Sequence, residues 1–72
     1  MVGKLLAIGD VRAERNRHLP IVTQRELAAE LGWAISVIGP VETRKIEASQ
    51  EQLQAMLDAI QRIVARRVEA DA

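Results

Sequence analysis

The fold is decided by residues 23–32, TQRELAAELG, because this stretch carries both the start and the stop signals of one helix. Thr23 and Glu26 form a T-x-x-E capping box, which marks a helix N-terminus. Gly32 stands where a left-handed residue closes the last turn. These signals predict a short helix, and its inward face is formed by Leu27, Ala28 and Leu31.

A first helix is predicted upstream of this stretch, from Lys4 to Arg17. Pro20 ends it, because a proline disfavours helical geometry at the residue before it. Gly9 costs a helix up to about 1 kcal/mol relative to alanine. Asp10 is therefore an alternative N-cap, and the sequence leaves the start of this helix open.

The last helix is expected to begin at Ser49, which forms a second capping box with Gln52, and to run to about Val68. One side of it carries an apolar stripe at helical spacing: Leu53, Met56, Leu57, Ile60, Ile63, Val64 and Val68. This stripe is longer than a small chain is expected to cover, and domains of this size are hard to stabilise alone. We therefore expect a homodimer interface formed by Ile60, Ile63, Val64 and Val68. Packing against the first helix is the alternative.

Composition restricts the class of protein. The 72 residues make one domain at most, and the absence of cysteine excludes disulfides and thiolate metal sites. The apolar run at residues 5–8 is too short for a signal-peptide core or for the roughly 20 residues that span a bilayer. We expect a soluble, cytoplasmic protein that makes no membrane contact.

The charge balance is neutral, with ten basic and ten acidic residues. A net charge of zero weighs against non-specific nucleic-acid binding. The basic residues are nevertheless concentrated early in the chain, at Arg12, Arg15, Arg17, His18 and Arg25. One face of the molecule can therefore still be basic.

The segment after Gly32 is expected to form a third helix, with Ile38 and Val41 one turn apart on its buried face. Gly39-Pro40 conflicts with this, because a proline inside a helix removes a hydrogen bond and costs about 3 kcal/mol or more. Three interpretations stay open. The helix kinks, or it ends near Ile38 and restarts with Pro40 in its first turn, or residues 34–38 and 41–46 form a hairpin.

Between Thr23 and Glu42 the sequence carries three motifs in a fixed register. They are T-Q-x-x-L-A, then L-G, then S-x-I-x-x-V-E, and matching residue types extend this register to Ile8 and Ile60. In this register the chain resembles the XRE (Cro-like) family of helix-turn-helix domains. The resemblance implies an all-α fold, a compact four- to five-helix bundle containing a helix-turn-helix, with an extended C-terminal helix. Residues 1–72 would form one domain, with the first three helices in 3–48 and the C-terminal, dimerising helix in 49–68. It also implies a structural ion pair between Glu42 and an arginine of the first helix, for which Arg12 is the candidate.

Most members of this family are small DNA-binding regulators. The resemblance therefore implies a dimeric transcriptional regulator of the repressor, controller or antitoxin type that binds double-stranded DNA. Its register assigns DNA contacts to Gln24, Arg25, Ile35, Ser36, Pro40, Thr43, Arg44 and Lys45. The polar and basic members suit phosphates, or are ordinary solvated residues. Ile35, Ser36 and Pro40 occupy base-reading positions, but none can make a bidentate hydrogen-bonded contact to a base.

The apolar residues among these positions support a second function. Ile35, Val37 and Pro40, with Trp33 nearby, would form an exposed patch of the kind that marks protein contact. The chain would then be a protein-interaction module with a degenerate helix-turn-helix, such as an antirepressor or accessory factor. Trp33 is the only aromatic residue, and burial at the turn is its alternative.

Catalytic chemistry is not indicated. His18 is the sole histidine, and the sequence contains no nucleophile-base pair, phosphate-binding loop or metal-binding motif. We therefore expect no enzyme activity, no cofactor and no metal.

Overall fold

The computed structural model describes residues 5–71 and folds them into four helices, with no strand in that range. The helices are α1 (Ile8–Arg17), α2 (Gln24–Leu31), α3 (Ile35–Glu42) and α4 (Gln50–Asp71). The predicted all-helical class is confirmed. No helix of the described range is both long and apolar enough to cross a bilayer.

The start of α1 differs from the prediction. Lys4 lies outside the described residues, but residues 5–7 are not helical and the helix begins at Ile8, with Asp10 in its first turn. The reason is a pair of hydrogen bonds between Leu6 and Gln50, the first residue of α4. The Leu6 N–H donates to Gln50 Oε1 at 2.8 Å, and Gln50 Nε2 donates to the Leu6 carbonyl at 2.8 Å. Both backbone groups of Leu6 are thereby engaged outside a helix.

The two ends of α2 are as predicted. The Glu26 N–H donates to Thr23 Oγ1 at 3.1 Å, which caps the N-terminus. Gly32 has a φ of +72°, and the Trp33 N–H donates to the Ala28 carbonyl at 3.0 Å across it. Gly32 thus closes α2 in the left-handed conformation that glycine adopts without steric cost.

The hairpin interpretation of residues 34–46 is wrong, and so is a break at Ile38, because α3 continues through Pro40 to Glu42. Ile38 and Val41 lie one turn apart and are 0% and 3% exposed. Burying each side chain stabilises the helical geometry by about 1.5–3 kcal/mol. The burial of both side chains together therefore offsets the cost of about 3 kcal/mol for a proline inside a helix.

The N-terminus of α4 carries the predicted capping box in full. The Ser49 N–H donates to Gln52 Oε1 at 2.8 Å, and the Gln52 N–H donates to Ser49 Oγ at 3.1 Å. The helix runs to Asp71, past the predicted end at Val68.

The apolar side of α4 forms most of one wall of the core. The buried hydrophobic residues are Val11, Val22, Leu27, Ala28, Ile38, Val41, Leu53, Met56, Ala59, Ile60 and Ile63. Ile60 and Ile63 are 0% and 2% exposed, so their assignment to a dimer interface is wrong. The shorter helices already cover this part of the stripe, because α1 and α2 both pack against α4. Val64 is half-buried and Val68 is exposed.

Candidate nucleic-acid interface

A three-residue turn, Gly32 to Ala34, joins the two short helices α2 and α3. Trp33 is half-buried and packs against the core. The two predicted alternatives were burial at the turn and part of an exposed patch, and half-buried Trp33 lies between them. α2 and α3 pack against each other on either side of this turn, and Ala28 of α2 is buried.

α3 has an inner and an outer face. Its inner face places Ile38, Val41 and Glu42 in the interior. The outer face, at positions i, i+1, i+4, i+5 and i+8, is formed by Ile35, Ser36, Gly39, Pro40 and Thr43. Ile35 is 47% exposed, Ser36 and Thr43 are exposed, and Gly39 and Pro40 are half-buried. This outer face of α3 is therefore an accessible, largely apolar helical surface.

A buried ion pair fixes α3 against α1. Arg15 Nε donates to Glu42 Oε2 at 2.6 Å, and Arg15 Nη2 donates to Glu42 Oε1 at 2.8 Å. Arg15 Nη1 also donates to the Val22 carbonyl at 3.3 Å. The predicted pair of Glu42 with Arg12 is wrong. Arg15 follows buried Val11 by one turn on the inner face of α1, whereas Arg12 is exposed.

Gln24 links the start of α2 to the outer face of α3. Its Nε2 donates to Glu42 Oε1 at 3.0 Å. Its Oε1 lies 3.9 Å from the position that a Cβ atom would take at Gly39. Gln24 is therefore brought beside the last turn of α3, and the next residue in the chain, Arg25, is exposed.

The residues that follow α3 form a Schellman turn. The Arg44 N–H donates to the Val41 carbonyl at 3.2 Å, and the Lys45 N–H donates to the Pro40 carbonyl at 2.8 Å. Arg44 has a φ of +66°, in the left-handed region, which costs a non-glycine residue about 1–2 kcal/mol. An arginine stands here where glycine is the usual residue. Local strain of this kind concentrates at functional sites.

Four basic side chains of α1, α2 and the turn after α3 have no ion-pair partner among the described residues. In the described range, Arg12, Arg25, Arg44 and Lys45 form no ion pair. Arg12 and Arg44 line the same shallow depression next to Gly9 and Thr43. Glu42 lines this depression as well, and its carboxylate is paired with Arg15. Glu14 and Glu30 are also paired with basic neighbours, whereas Glu26 and Glu47 form no ion pair in the described range.

Beside α3 lies an apolar groove that the sequence did not indicate. It has a volume of about 280 Å³ and is lined mainly by Trp33, Val37, Val41, Ile46 and Ala48. Ile46 is 45% exposed and follows α3 in the connection to α4. No local pattern marks Ile46, because its position depends on how that connection folds back over α3.

The eight predicted contact residues thus lie on α2, on the outer face of α3 and in the turn after it. Contacts bring Gln24 beside Gly39, and Thr43 and Lys45 bond back to the last turn of α3. Ile35 and Ser36 occupy the other end of the same helix face. Within residues 5–71, no three His, Asp or Glu side chains lie close enough to hold a metal ion.

Comparisons of the chain with protein-family models, with curated proteins and with solved structures gave no match. The function is therefore argued from the geometry of this surface.

Proposed function

We propose that this chain is a DNA-binding transcriptional regulator of the XRE type, in which α2 and α3 form a helix-turn-helix and two copies bind one duplex. The carrying observation is the outer face of α3, on which Ile35, Ser36 and Thr43 are exposed, together with exposed Arg25 in the first turn of α2 and exposed Arg44 and Lys45 directly after α3. An exposed second helix with basic residues at its edges fits the major groove between two phosphate backbones.

The flanking residues suit phosphate contacts. Arg25 lies in the first turn of α2, where backbone N–H groups and the helix dipole also attract anions. Arg44 and Lys45 follow the C-terminus of α3 and are exposed. Contacts of this kind set the register of a protein on a duplex and supply most of its salt-dependent affinity.

The buried ion pair supports the same function through geometry. Because Glu42 binds both Arg15 and Gln24, it fixes α3 relative to α1 and to the first residue of α2. The two elements that would contact DNA are thereby held as one rigid unit. A rigid scaffold is what a surface needs to present several phosphate contacts in one register.

The test uses Arg44→Gly, which removes the charge and also relieves the left-handed strain. Glycine adopts a φ of +66° without steric cost, so the variant should unfold at a higher temperature than the parent. We expect it to bind all duplexes more weakly and to lower the slope of log affinity against log salt by about one unit. Fluorescence anisotropy with a labelled duplex at several salt concentrations measures both quantities.

The matched control is Arg67→Gln, on the exposed side of α4, which should leave affinity and salt slope unchanged. A melting temperature of Arg44→Gly at or above that of the parent would show that weaker binding does not come from unfolding. A well-folded parent protein that binds no duplex even at low salt would refute the proposal.

A second candidate function, a protein-interaction module, is favoured by the apolar groove beside α3. The groove lies between α3 and the connection to α4, and Ile46 and Glu47 stand at its edge. Val37→Asp would place a charge in the groove but not on the outer face of α3, so it separates the two functions. Loss of protein binding with DNA binding retained would assign the groove to a partner, and selection from a random duplex library without any enriched motif would favour this function alone.

A further inference from the structure

Polar side chains near the outer face of α3 are largely engaged within the protein. The Gln24 amide nitrogen is bonded to Glu42. The Thr43 hydroxyl donates to the Gly39 carbonyl at 3.0 Å and approaches the Pro40 carbonyl at 3.4 Å. On this face, within the described residues, only the Ser36 hydroxyl has no internal hydrogen bond. Hydrogen-bond donors for base edges are therefore few.

What this face offers instead is apolar contact area. Ile35 begins α3 with 47% of its surface exposed, and the Pro40 ring lies between Ser36 and Thr43 on the same side. Gly39 adds no side chain, and Gln24 Oε1 lies 3.9 Å from the position that a Cβ atom would take there, so the apolar contacts come from Ile35 and Pro40. Exposed Arg44 and Lys45 directly follow α3, and exposed Arg25 lies in the first turn of α2, so their charges are available to the phosphates of a duplex.

The major groove presents one apolar group that differs between bases, the C5-methyl of thymine, whereas the other distinctions are hydrogen-bond donors and acceptors. We propose that the outer face of α3 selects DNA by the 5-methyl groups of pyrimidines, with Ile35 as the principal specificity-determining residue and Pro40 as the second contact. This inference rests on the proposed DNA-binding function. Thymine and 5-methylcytosine carry the same group at the same position, and either base can supply it.

The experiment uses the duplex recovered by selection from a random library, synthesised again in modified forms. In one form deoxyuridine replaces thymidine, which removes the methyl group and keeps the base pairing. In another, 5-methyldeoxycytidine replaces deoxycytidine. We expect affinity to change by about fourfold for each contacted methyl group, the factor that corresponds to burying one CH₂-sized group.

A loss on uridine substitution identifies thymine as the source of the methyl group, and a gain on cytosine methylation identifies 5-methylcytosine. Equal binding of all forms overturns the proposal. Ile35→Ala should abolish the methyl dependence and keep the salt slope, while Ile35→Val should retain both. Leu19→Ala, which truncates a half-exposed leucine outside α3, is the matched control and should change neither.

DNA binding and methyl selection are distinguished by different experimental outcomes. If duplexes bind with the expected salt dependence but without methyl preference, methyl selection is wrong and DNA binding stands. If no duplex binds, the proposed function itself is wrong. Circular dichroism of each variant shows whether its helical fold is intact, and this measurement does not depend on which ligand the protein binds.

Discussion

Arg15 and Glu42 share two hydrogen bonds, and their side chains are 8% and 1% exposed. Removing one partner leaves the other charge buried without compensation, so Arg15→Met should lower the free energy of unfolding by about 3–5 kcal/mol. Arg15→Met combined with Glu42→Leu should recover most of that loss, because an apolar pair of similar volume requires no counter-ion. Urea unfolding of the four species of this double-mutant cycle measures the coupling.

Arg12→Met is the matched control on the same helix. Arg12 is exposed and forms no ion pair in the described range, so its replacement should change the unfolding free energy by no more than about 0.5 kcal/mol. Equal effects of the two single substitutions would contradict the assignment of Arg15.

The choice between Arg12 and Arg15 also shows which features of single residues the sequence does not predict. Thr23, Gly32 and Ser49 were predicted correctly because a cap or a turn is decided within a few neighbouring residues. Which arginine of α1 faces inward depends on where α1 begins and how it is rotated. That start follows the hydrogen bonds of Leu6 to Gln50, 44 residues away, and no local pattern encodes them.

At the scale of elements, α2 and α4 are joined by one carboxylate and two arginines. Arg62 Nε donates to Glu30 Oε2 at 2.8 Å, and Arg66 Nη2 donates to Glu30 Oε1. These hydrogen bonds, first from Arg62 and then from Arg66, hold the pKa of Glu30 below its usual value. The arginines lie one turn apart on α4, so this contact also fixes the rotation of α4 against α2.

The lowered pKa of Glu30 predicts a pH dependence of stability with a definite sign. The ionised form is favoured in the folded state, so its contribution is present above the ordinary glutamate pKa of about 4.3 and is lost as the pH falls through the lowered value. Glu30→Gln should therefore lower the melting temperature at pH 7, and this deficit should shrink as the pH falls through the lowered pKa, because the carboxyl is then protonated in the folded state as well. Glu69→Gln, at an exposed position of α4, is the control. A deficit that stays constant down to the lowest pH would contradict the ion-pair explanation.

α3 is the element that local signals describe least well. Its proline predicts a break, and its β-branched residues permit a hairpin, yet the segment is one helix. The deciding contribution is tertiary, since Ile38, Val41 and the Glu42 ion pair are all buried on one side. α4 is the opposite case, because a long apolar stripe and a complete capping box determine it within its own sequence.

At the scale of the whole molecule, side chains of both signs stand without an ion-pair partner in the described range. Arg12, Arg25, Arg44, Lys45 and Arg67 form no ion pair there, and neither do Glu26, which follows Arg25, and Glu47, which lies two residues after Lys45. Under the proposed function, the salt dependence of DNA binding therefore comes from individual phosphate contacts and not from the net charge of the chain.

The homodimer stays a prediction, and it would use a smaller surface than the sequence predicted. Of the four expected interface residues, Ile60 and Ile63 are buried within the chain, which leaves half-buried Val64 and Val68, the latter 63% exposed. So small an apolar contact predicts weak association, with a dissociation constant of roughly 1–100 μM, equivalent to about 5–8 kcal/mol. Sedimentation equilibrium across that range should show a monomer-dimer equilibrium, and a clean monomer at about 100 μM would remove this interface.

The variant Val68→Asp tests whether dimerisation and DNA recognition are linked. Val68 lies outside the core near the end of α4, so the substitution should leave the helical spectrum and melting temperature nearly unchanged while it abolishes the dimer. Val68→Leu, which keeps an apolar side chain, should remain dimeric.

In selection from a random duplex library the parent should enrich two half-sites about one helical turn, or roughly 34 Å, apart. Val68→Asp should then enrich single half-sites only. If it enriches the same paired sites as the parent, the two copies on DNA are not joined through the end of α4.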